Sequence, residues 1–156
     1  MRRQVTKGKW EVTNFYGYSD RDKTLYYQSN EESPSRKSIY SISVFGSKKK
    51  LLSINSGTNN AMFGSNYKYF INTYSNANSP NLISLIDNQG NESRILKNSE
   101  DLKNTLNNYS LSTKEFFSFE TSEKTTLNGW MMKPINFNDS IKYPVLMYVY
   151  GGPGSQ

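Results

Sequence analysis

A pattern of strand-like residues repeats after about 43 positions in the first hundred residues of this chain. Tyr26-Tyr27 matches Tyr69-Phe70, and Ile39-Tyr-Ser-Ile42 matches Leu82-Ile-Ser-Leu85, with the same spacing. A period of about 40–45 residues that contains several strands is typical of β-propeller blades, which are twisted antiparallel sheets packed face to face. Chance similarity between two hairpins is the alternative, because few residues are identical across the repeat. The repeat therefore predicts two blades.

Strand signals dominate the whole chain. Aromatic and β-branched residues cluster or alternate between turn-forming residues, which predicts a mainly β structure. The predicted strands lie near Lys9–Tyr16, Thr24–Ser29, Ser38–Val44, Lys50–Ile54, Tyr67–Ser75, Asn81–Asp87, Glu92–Leu96, Glu115–Glu120, Thr126–Lys133 and Val145–Tyr150.

A single helix is predicted between the last two groups of strands. Ser99 is a residue type that caps helices, and acidic residues follow it in the first turn. Leu102 and Leu106 then fall on one helical face.

Composition argues against several classes of function. The chain has no Cys and no His, so neither a disulfide framework nor a transition-metal site is expected, and no cofactor is predicted. The net charge is +6, but the densest basic run, Lys48-Lys49-Lys50, lies between two predicted strands, where a solvated hairpin tip explains it. We therefore predict no nucleic-acid partner. No run of eighteen apolar residues exists, and polar residues follow Met1-Arg-Arg3, so neither a membrane span nor a signal peptide is predicted.

The C-terminal residues carry the motif that points most directly to chemistry. An apolar segment from Tyr143 to Tyr150 runs into a Gly-Gly-Pro-Gly turn, which is the layout that α/β-hydrolases use to aim a donor at a developing oxyanion. A nucleophilic serine needs a general base, usually His, and these 156 residues contain none. The chain therefore cannot complete such a mechanism by itself.

Four segments together resemble the dipeptidyl peptidase IV branch of the prolyl oligopeptidase family of serine peptidases. They are Trp10-Glu-Val-Thr13, Thr24–Asn30, Leu127–Pro134 and Tyr143–Gln156. The resemblance implies a mainly β fold with the last two blades of a β-propeller, followed by the first strands of an α/β-hydrolase domain. It places residues 1–97 in the propeller and residues 98–156 in the truncated peptidase domain.

The same resemblance implies an activity for the complete protein. It implies release of X-Pro or X-Ala dipeptides from peptide N-termini, a homodimer, and a periplasmic or secreted location. The Ser, Asp and His of the triad lie C-terminal to the motif in this family, so they are absent from this chain and the fragment is expected to be inactive. The open faces of two isolated blades also predict that the fragment self-associates.

Tyr150 is the one catalytic residue that the resemblance assigns. It precedes Gly-Gly-Pro-Gly, where the family places a phenol that stabilises the tetrahedral intermediate. Tyr148 points to the same face of the predicted strand and is the competing assignment. Ser155 is not in a Gly-x-Ser-x-Gly sequence, so a structural role is predicted for it. Glu31-Glu32 resemble the family's pair of glutamates that bind the substrate ammonium, but a solvated loop between two strands explains them better. No substrate-binding residue is assigned.

Two other classes of function remain open from the sequence alone. The chain is also consistent with a non-catalytic relative whose propeller and hydrolase shell serve as an interaction scaffold. An acylaminoacyl peptidase or an endopeptidase of the same superfamily is the third possibility, since fold-level similarity does not fix a substrate.

Overall fold

The computed structural model describes residues 3–149 and residues 151 and 152. These residues form two compact units, one ending at Asn104 and one beginning at Thr105. The elements, in chain order, are β1 (Val12–Ser19), β2 (Thr24–Ser29), β3 (Ser38–Ser43), β4 (Lys50–Leu51), β5 (Thr58–Phe63), β6 (Tyr69–Asn76), β7 (Ser79–Asp87), β8 (Glu92–Lys97), α1 (Glu100–Leu106), β9 (Lys114–Glu120) and β10 (Thr126–Met132). In this part of the chain, no helix has both the length and the apolar character needed to cross a membrane.

The first unit contains two four-stranded antiparallel sheets. Their strand orders are β1-β2-β3-β4 and β5-β6-β7-β8, so each strand pairs with its neighbour in sequence. This is the strand order of propeller blades. The prediction of a mainly β fold with two blades is confirmed. One strand, β5, was not predicted.

The spacing of 43 residues seen in the sequence aligns the second strands of the two blades correctly. It does not align the third strands, whose equivalent residues lie further apart. Tyr27 pairs with Tyr40, whereas its counterpart Phe70 pairs with Ile86. The third strands therefore correspond at a spacing of 46 residues (86 minus 40), and the sequence match at 43 places residues from opposite faces together. The cause is the length of chain between equivalent pairs: Ser29 pairs with Ser38, nine residues further on, whereas Asn72 pairs with Ser84, twelve residues further on, because β6 and β7 continue up to a two-residue turn.

The two blades share one hydrophobic core. Five side chains that are at most 2% exposed meet there: Tyr26, Ile39, Leu52, Phe70 and Ile86. Complete burial of one such side chain contributes about 1.5–3 kcal/mol. Tyr26 and Ile39 come from the first sheet, Leu52 follows its last strand, and Phe70 and Ile86 come from the second sheet, so neither sheet has this core alone.

A buried polar network lies beside this core. The amide nitrogen of Gln28, in β2, donates to the Asn59 carbonyl at 2.6 Å and to Asn60 Oδ1 at 3.0 Å, both in β5. The Asn59 side chain in turn accepts a hydrogen bond of 3.0 Å from Asn72. Since buried amides cost free energy when unpaired, these bonds fix the register of one sheet against the other.

The opposite face of the first sheet is covered by the N-terminal segment. The buried residues Tyr27, Tyr40 and Ile42 form a second cluster, and Val5 and Trp10 pack against it. The indole of Trp10 stacks on the Tyr27 ring, with 6.3 Å between centroids and 6° between planes. Of the two blade faces expected to be open, this one is therefore partly closed by residues of the chain itself.

Helix α1 begins one residue after Ser99, as predicted, but Ser99 does not cap it with its side chain. The Ser99 hydroxyl donates to the Asn81 carbonyl at 2.7 Å, and its backbone has a φ of 56°. Ser99 still holds the N-cap position through its backbone, because its carbonyl accepts a hydrogen bond of 3.0 Å from the Lys103 amide, while Asn98 Oδ1 accepts one of 3.1 Å from the Glu100 amide. Only the side-chain cap was predicted wrongly, because the hydroxyl bonds to the Asn81 carbonyl in β7.

The second unit contains the antiparallel hairpin of β9 and β10. Its strands pair without a bulge from Lys114↔Met132 to Glu120↔Thr126. Gly129 faces Phe117, and a Cβ atom at position 129 would lie 2.7 Å from the ring. Glycine at this position lets the aromatic ring lie across the neighbouring strand. Trp130 remains about half exposed, with the ammonium of Lys114 4.7 Å from its ring centroid.

Candidate functional site

A turn anchors the chain immediately before the motif. The ring of Tyr143 stacks on Phe137, with 5.1 Å between centroids, and its hydroxyl accepts a hydrogen bond of 3.1 Å from the Asn138 amide. Asn138 also accepts from the Ser140 amide at 3.0 Å, which closes an Asx turn. These contacts fix the start of the apolar segment that leads to the glycines.

The apolar segment itself differs from its prediction as a strand. Residues 145–149 pair with no strand among the described residues, and Leu146 is 98% exposed. A strand needs a neighbour for its backbone groups, and this segment does not pair with the hairpin of β9 and β10. The sequence pattern therefore predicts a strand whose pairing partners do not lie in this part of the chain.

The predicted oxyanion residue, Tyr150, lies outside the described residues, and so does Ser155. Tyr148, the competing assignment, is described and is 87% exposed. Its side chain is therefore not committed to a core in this chain. The assignment of Tyr150 stays a prediction.

Gly151 is described, and its surroundings explain part of the motif. A Cβ atom built at Gly151 would have no other atom of the described chain within 4 Å. Packing inside this chain therefore does not require glycine at this position. The role expected for this glycine, a close backbone approach to a substrate, stays a prediction.

A cleft of about 370 Å³ lies beside Phe137 in the second unit. It is lined by Leu111, Ser112, Thr113, Glu115, Lys133, Pro134, Ile135 and Phe137. The Lys133 ammonium and the Glu115 carboxylate form an ion pair of 2.6 Å there, so the carboxylate of the lining is already paired. The hydroxyls of this cleft have no imidazole to activate them, because the chain has no His.

Glu31 and Glu32, the pair that resembles the family's ammonium-binding glutamates, lie between β2 and β3 as predicted. Glu32 is exposed and accepts a hydrogen bond of 2.7 Å from the Ser38 hydroxyl. Glu31 is partly covered: its side chain is 22% exposed, and it forms an ion pair with Lys49. The predicted solvated loop is confirmed, because residues 30–37 are all exposed or partly exposed.

The three lysines of the basic run are exposed, as predicted. Lys48 lies in the turn between β3 and β4 with a φ of 55°. Lys49 reaches Glu31, and Lys50 donates to Gln89 Oε1 at 3.0 Å in the second blade. Two of the three lysines therefore have partners, which reduces the charge available to bind a polyanion.

Sequence reasoning missed the aromatic group around Lys49. The Lys49 ammonium lies 5.8 Å from the Trp10 ring centroid and 5.9 Å from that of Tyr40. The one available signal was Trp10 itself, since a tryptophan before a predicted strand needs a surface to pack on. Its partners were not deducible because they lie about 30 and 40 residues further along the chain.

Comparison with known proteins shows to which family this chain belongs. Residues 1–81, about half of the chain, match the family model described as the dipeptidyl peptidase IV N-terminal region. The chain belongs to the dipeptidyl peptidase IV family. The structure of Porphyromonas gingivalis dipeptidyl peptidase 4 is similar over 92% of this chain, with a TM-score of 0.86 and 43% sequence identity. A putative dipeptidyl aminopeptidase IV from Bacteroides ovatus is similar over 99% of this chain, with a TM-score of 0.81 and 27% identity.

Curated members of the dipeptidyl peptidase IV family extend the similarity to eukaryotes. A probable dipeptidyl-aminopeptidase B of Talaromyces marneffei is 31% identical over 97% of this chain. The human protein named prolyl endopeptidase FAP is 34% identical over 98% of it. The chain spans only 17% and 21% of those two relatives, and 20% and 22% of the two structures. The relatives are peptidases, and this chain corresponds to about one fifth of their length.

Proposed function

We propose that this chain is a segment of a serine exopeptidase that releases X-Pro or X-Ala dipeptides from peptide N-termini. The observation that carries the proposal is similarity along nearly the whole chain to dipeptidyl peptidases, at 43% identity to the bacterial dipeptidyl peptidase 4. The Tyr-Gly-Gly-Pro-Gly sequence at positions 150–154 adds a chemical reason, because it matches an oxyanion turn.

The 156 residues alone should be inactive. A serine peptidase needs a nucleophile and a base that removes its proton, and the sequence offers no imidazole. Purified chain incubated with Gly-Pro-p-nitroanilide should release p-nitroaniline at the rate of buffer. Release that scales with the concentration of this chain, and that survives separation from host peptidases, would contradict the proposal.

Substrate choice by the complete protein tests the assignment as an exopeptidase. A dipeptidyl peptidase requires a free substrate ammonium, so Gly-Pro-7-amido-4-methylcoumarin should be cleaved and its N-acylated analogue should not. The human relative named prolyl endopeptidase FAP supports an endopeptidase as the second candidate. Cleavage of the N-acylated substrate at a comparable kcat/KM would favour that candidate.

A non-catalytic scaffold remains the third candidate. It predicts that the complete protein folds with a propeller and a hydrolase shell but lacks the nucleophilic serine. The parent gene downstream of the codon for Gln156 decides this point. A Gly-x-Ser-x-Gly sequence there supports the peptidase, and its absence supports the scaffold.

The proposal extends to assembly and location. We expect the complete protein to be a periplasmic or secreted homodimer that binds peptides with Pro or Ala as the second residue and does not bind nucleic acid.

The fragment is expected to self-associate, because Met62, Ile71 and Leu85 form a cross-strand apolar row on one face of the second blade. This face is opposite the one that carries Phe70 and Ile86. Light scattering should show species larger than a monomer, and Met62→Glu should reduce them. A monodisperse monomer with a cooperative thermal transition would show that two blades suffice.

A further inference from the structure

The strongest unassigned feature is the setting of the Lys49 ammonium on the outer face of the first blade. Lys49 lies in the connection between β3 and β4, and its ammonium donates to Glu31 Oε1. The rings of Trp10 and Tyr40 lie 5.8 and 5.9 Å from the same nitrogen. Three segments that are far apart in sequence thus converge on one positive charge.

The aromatic walls of this group are held in place by stacking. Trp10 stacks on Tyr27 with 6.3 Å between centroids, and Tyr27 stacks on Tyr40 with 5.6 Å between centroids. Tyr27 and Tyr40 are buried members of the second core cluster. The rings of Tyr27 and Tyr40 therefore belong to the sheet itself, and Trp10 of the N-terminal segment stacks on them.

The site has more acceptors than Lys49 uses. The second oxygen of Glu31, Oε2, and the hydroxyl of Tyr27 are both buried and have no hydrogen-bond partner among the described residues. Burial raises the pKa of Tyr27, and the nearby charge of Glu31 raises it further. Buried polar atoms without partners are uncommon and call for an additional donor.

We propose that Trp10, Tyr40 and Glu31 form a binding site for a primary ammonium group, and that Lys49 is its internal ligand. The chemistry matches: the Glu31 carboxylate supplies the counter-charge, and the two ring faces within about 6 Å attract a cation through their quadrupoles. Glu31 Oε1 already accepts from the Lys49 ammonium, and the buried Oε2 of the same carboxylate offers a second acceptor. The ligand class is therefore a primary alkylammonium, the end group of a lysine side chain.

Removing the internal ligand tests the site. The Lys49→Ala variant should bind n-butylammonium chloride, with a saturable change in Trp10 fluorescence measured in a Trp130→Phe background, since Trp10 and Trp130 are the two tryptophans. Unmodified chain should bind it at least about tenfold more weakly, because Lys49 occupies the site. Lys48→Ala is the matched control, since Lys48 is the neighbouring residue of the same turn and should leave binding as weak as in the unmodified chain.

Two further variants fix the chemistry. Adding Glu31→Gln to Lys49→Ala should abolish butylammonium binding, because the counter-charge is lost. Tetramethylammonium should bind Lys49→Ala more weakly than butylammonium does, because it has no N–H to donate to Glu31. Equal binding to the Lys49→Ala chain and the unmodified chain, or binding that survives Glu31→Gln, overturns the proposal.

A measurement on the unmodified chain covers the case in which Lys49→Ala does not fold. Acetic anhydride should acetylate Lys49 several-fold more slowly than Lys48, as measured by peptide mapping with mass spectrometry. The Glu31→Gln variant should bring the two rates together. Equal rates in the unmodified chain would overturn the proposal independently.

Discussion

The ring of Tyr26 in β2 stacks on the ring of Tyr67 just before β6, with 5.1 Å between centroids and 3° between planes. This contact joins the two blades directly. Tyr67 has a φ of 53°, and its hydroxyl lies over Gly17 in β1, where an added Cβ would overlap it. The Tyr67 side chain therefore packs between the ring of Tyr26 in β2 and the backbone of Gly17 in β1.

Gly17→Ala should destabilise the first unit. Gly17 has a φ of 141°, which side chains rarely adopt, and the new methyl group would displace Tyr67 from its stack. We expect the free energy of unfolding to fall by about 1–3 kcal/mol or more, measured by urea denaturation. Gly64→Ala is the control, since its nearest contact would be 3.6 Å from the Tyr69 carbonyl. Equal losses in both variants would contradict this account.

Asn59→Ala should be costly although it removes only a small polar side chain. The Asn59 amide donates to the Lys37 carbonyl at 3.1 Å and to the Asn55 carbonyl at 2.9 Å, and it accepts from Asn72. Its removal leaves buried groups unpaired, so a loss of about 2–4 kcal/mol is expected in the same denaturation experiment. Asn60→Ala, at an exposed position with one bond to Gln28, should lose less than about 1 kcal/mol. A loss at Asn59 no larger than that at Asn60 would count against the network.

Stability should fall at alkaline pH because of Tyr40. Burial, and then the charges of Glu32 and Glu31, raise the pKa of Tyr40 to about 12. The pKa of Tyr40 is higher in the folded than in the unfolded chain, so the folded state holds this proton more tightly. The contribution of Tyr40 to the free energy of unfolding is therefore complete below about pH 10 and is lost as pH rises toward 12. The unfolding free energy should fall by at most about 1.4 kcal/mol per pH unit from this group. Tyr40→Phe should flatten the profile between pH 10 and 12, and an unchanged slope would assign the loss to other tyrosines.

Tyr150→Phe tests the oxyanion assignment in the complete protein. If the hydroxyl donates only to the oxyanion, kcat should fall by about 10²–10³-fold while KM changes little. Tyr148→Phe should leave kcat within a few-fold, because its hydroxyl has no charge to stabilise. Steady-state kinetics on Gly-Pro-p-nitroanilide decides between them. A large fall in Tyr148→Phe alone would transfer the role to Tyr148.

The blade strands could be predicted from sequence because their residues carry the signal locally. Thr24–Ser29 was predicted with its observed bounds, since Leu25 and two adjacent tyrosines cluster there between turn-forming residues. The strand Thr58–Phe63 was missed because two consecutive asparagines are poor strand formers. In the structure Asn59 is fully buried and bonded on three sides, so tertiary contacts determine this strand.

For the candidate oxyanion site, the sequence predicted the Gly-Gly-Pro-Gly motif but not the surroundings of the segment that leads to it. The sequence indicates a strand before Gly151, but Val145 to Val149 remain unpaired because hydrogen-bond partners for a strand come from other segments. The cluster at Lys49 was beyond prediction for the same reason. The positions of its rings follow from the pairing of β2 with β3 and from the path of the N-terminal segment, which no local pattern specifies.

The core that the two blades share makes them one cooperative unit. Tyr26 and Phe70 come from different sheets but are members of the same buried cluster. Unfolding one sheet removes its half of the shared core and exposes the apolar surface of the other sheet to water. The chain entropy gained by unfolding a single blade is therefore offset by the loss of core contacts in both blades. Amide hydrogens in β2 and β6 should therefore exchange with solvent through a common opening event, at similar free energies, although the strands lie some 40 residues apart in sequence.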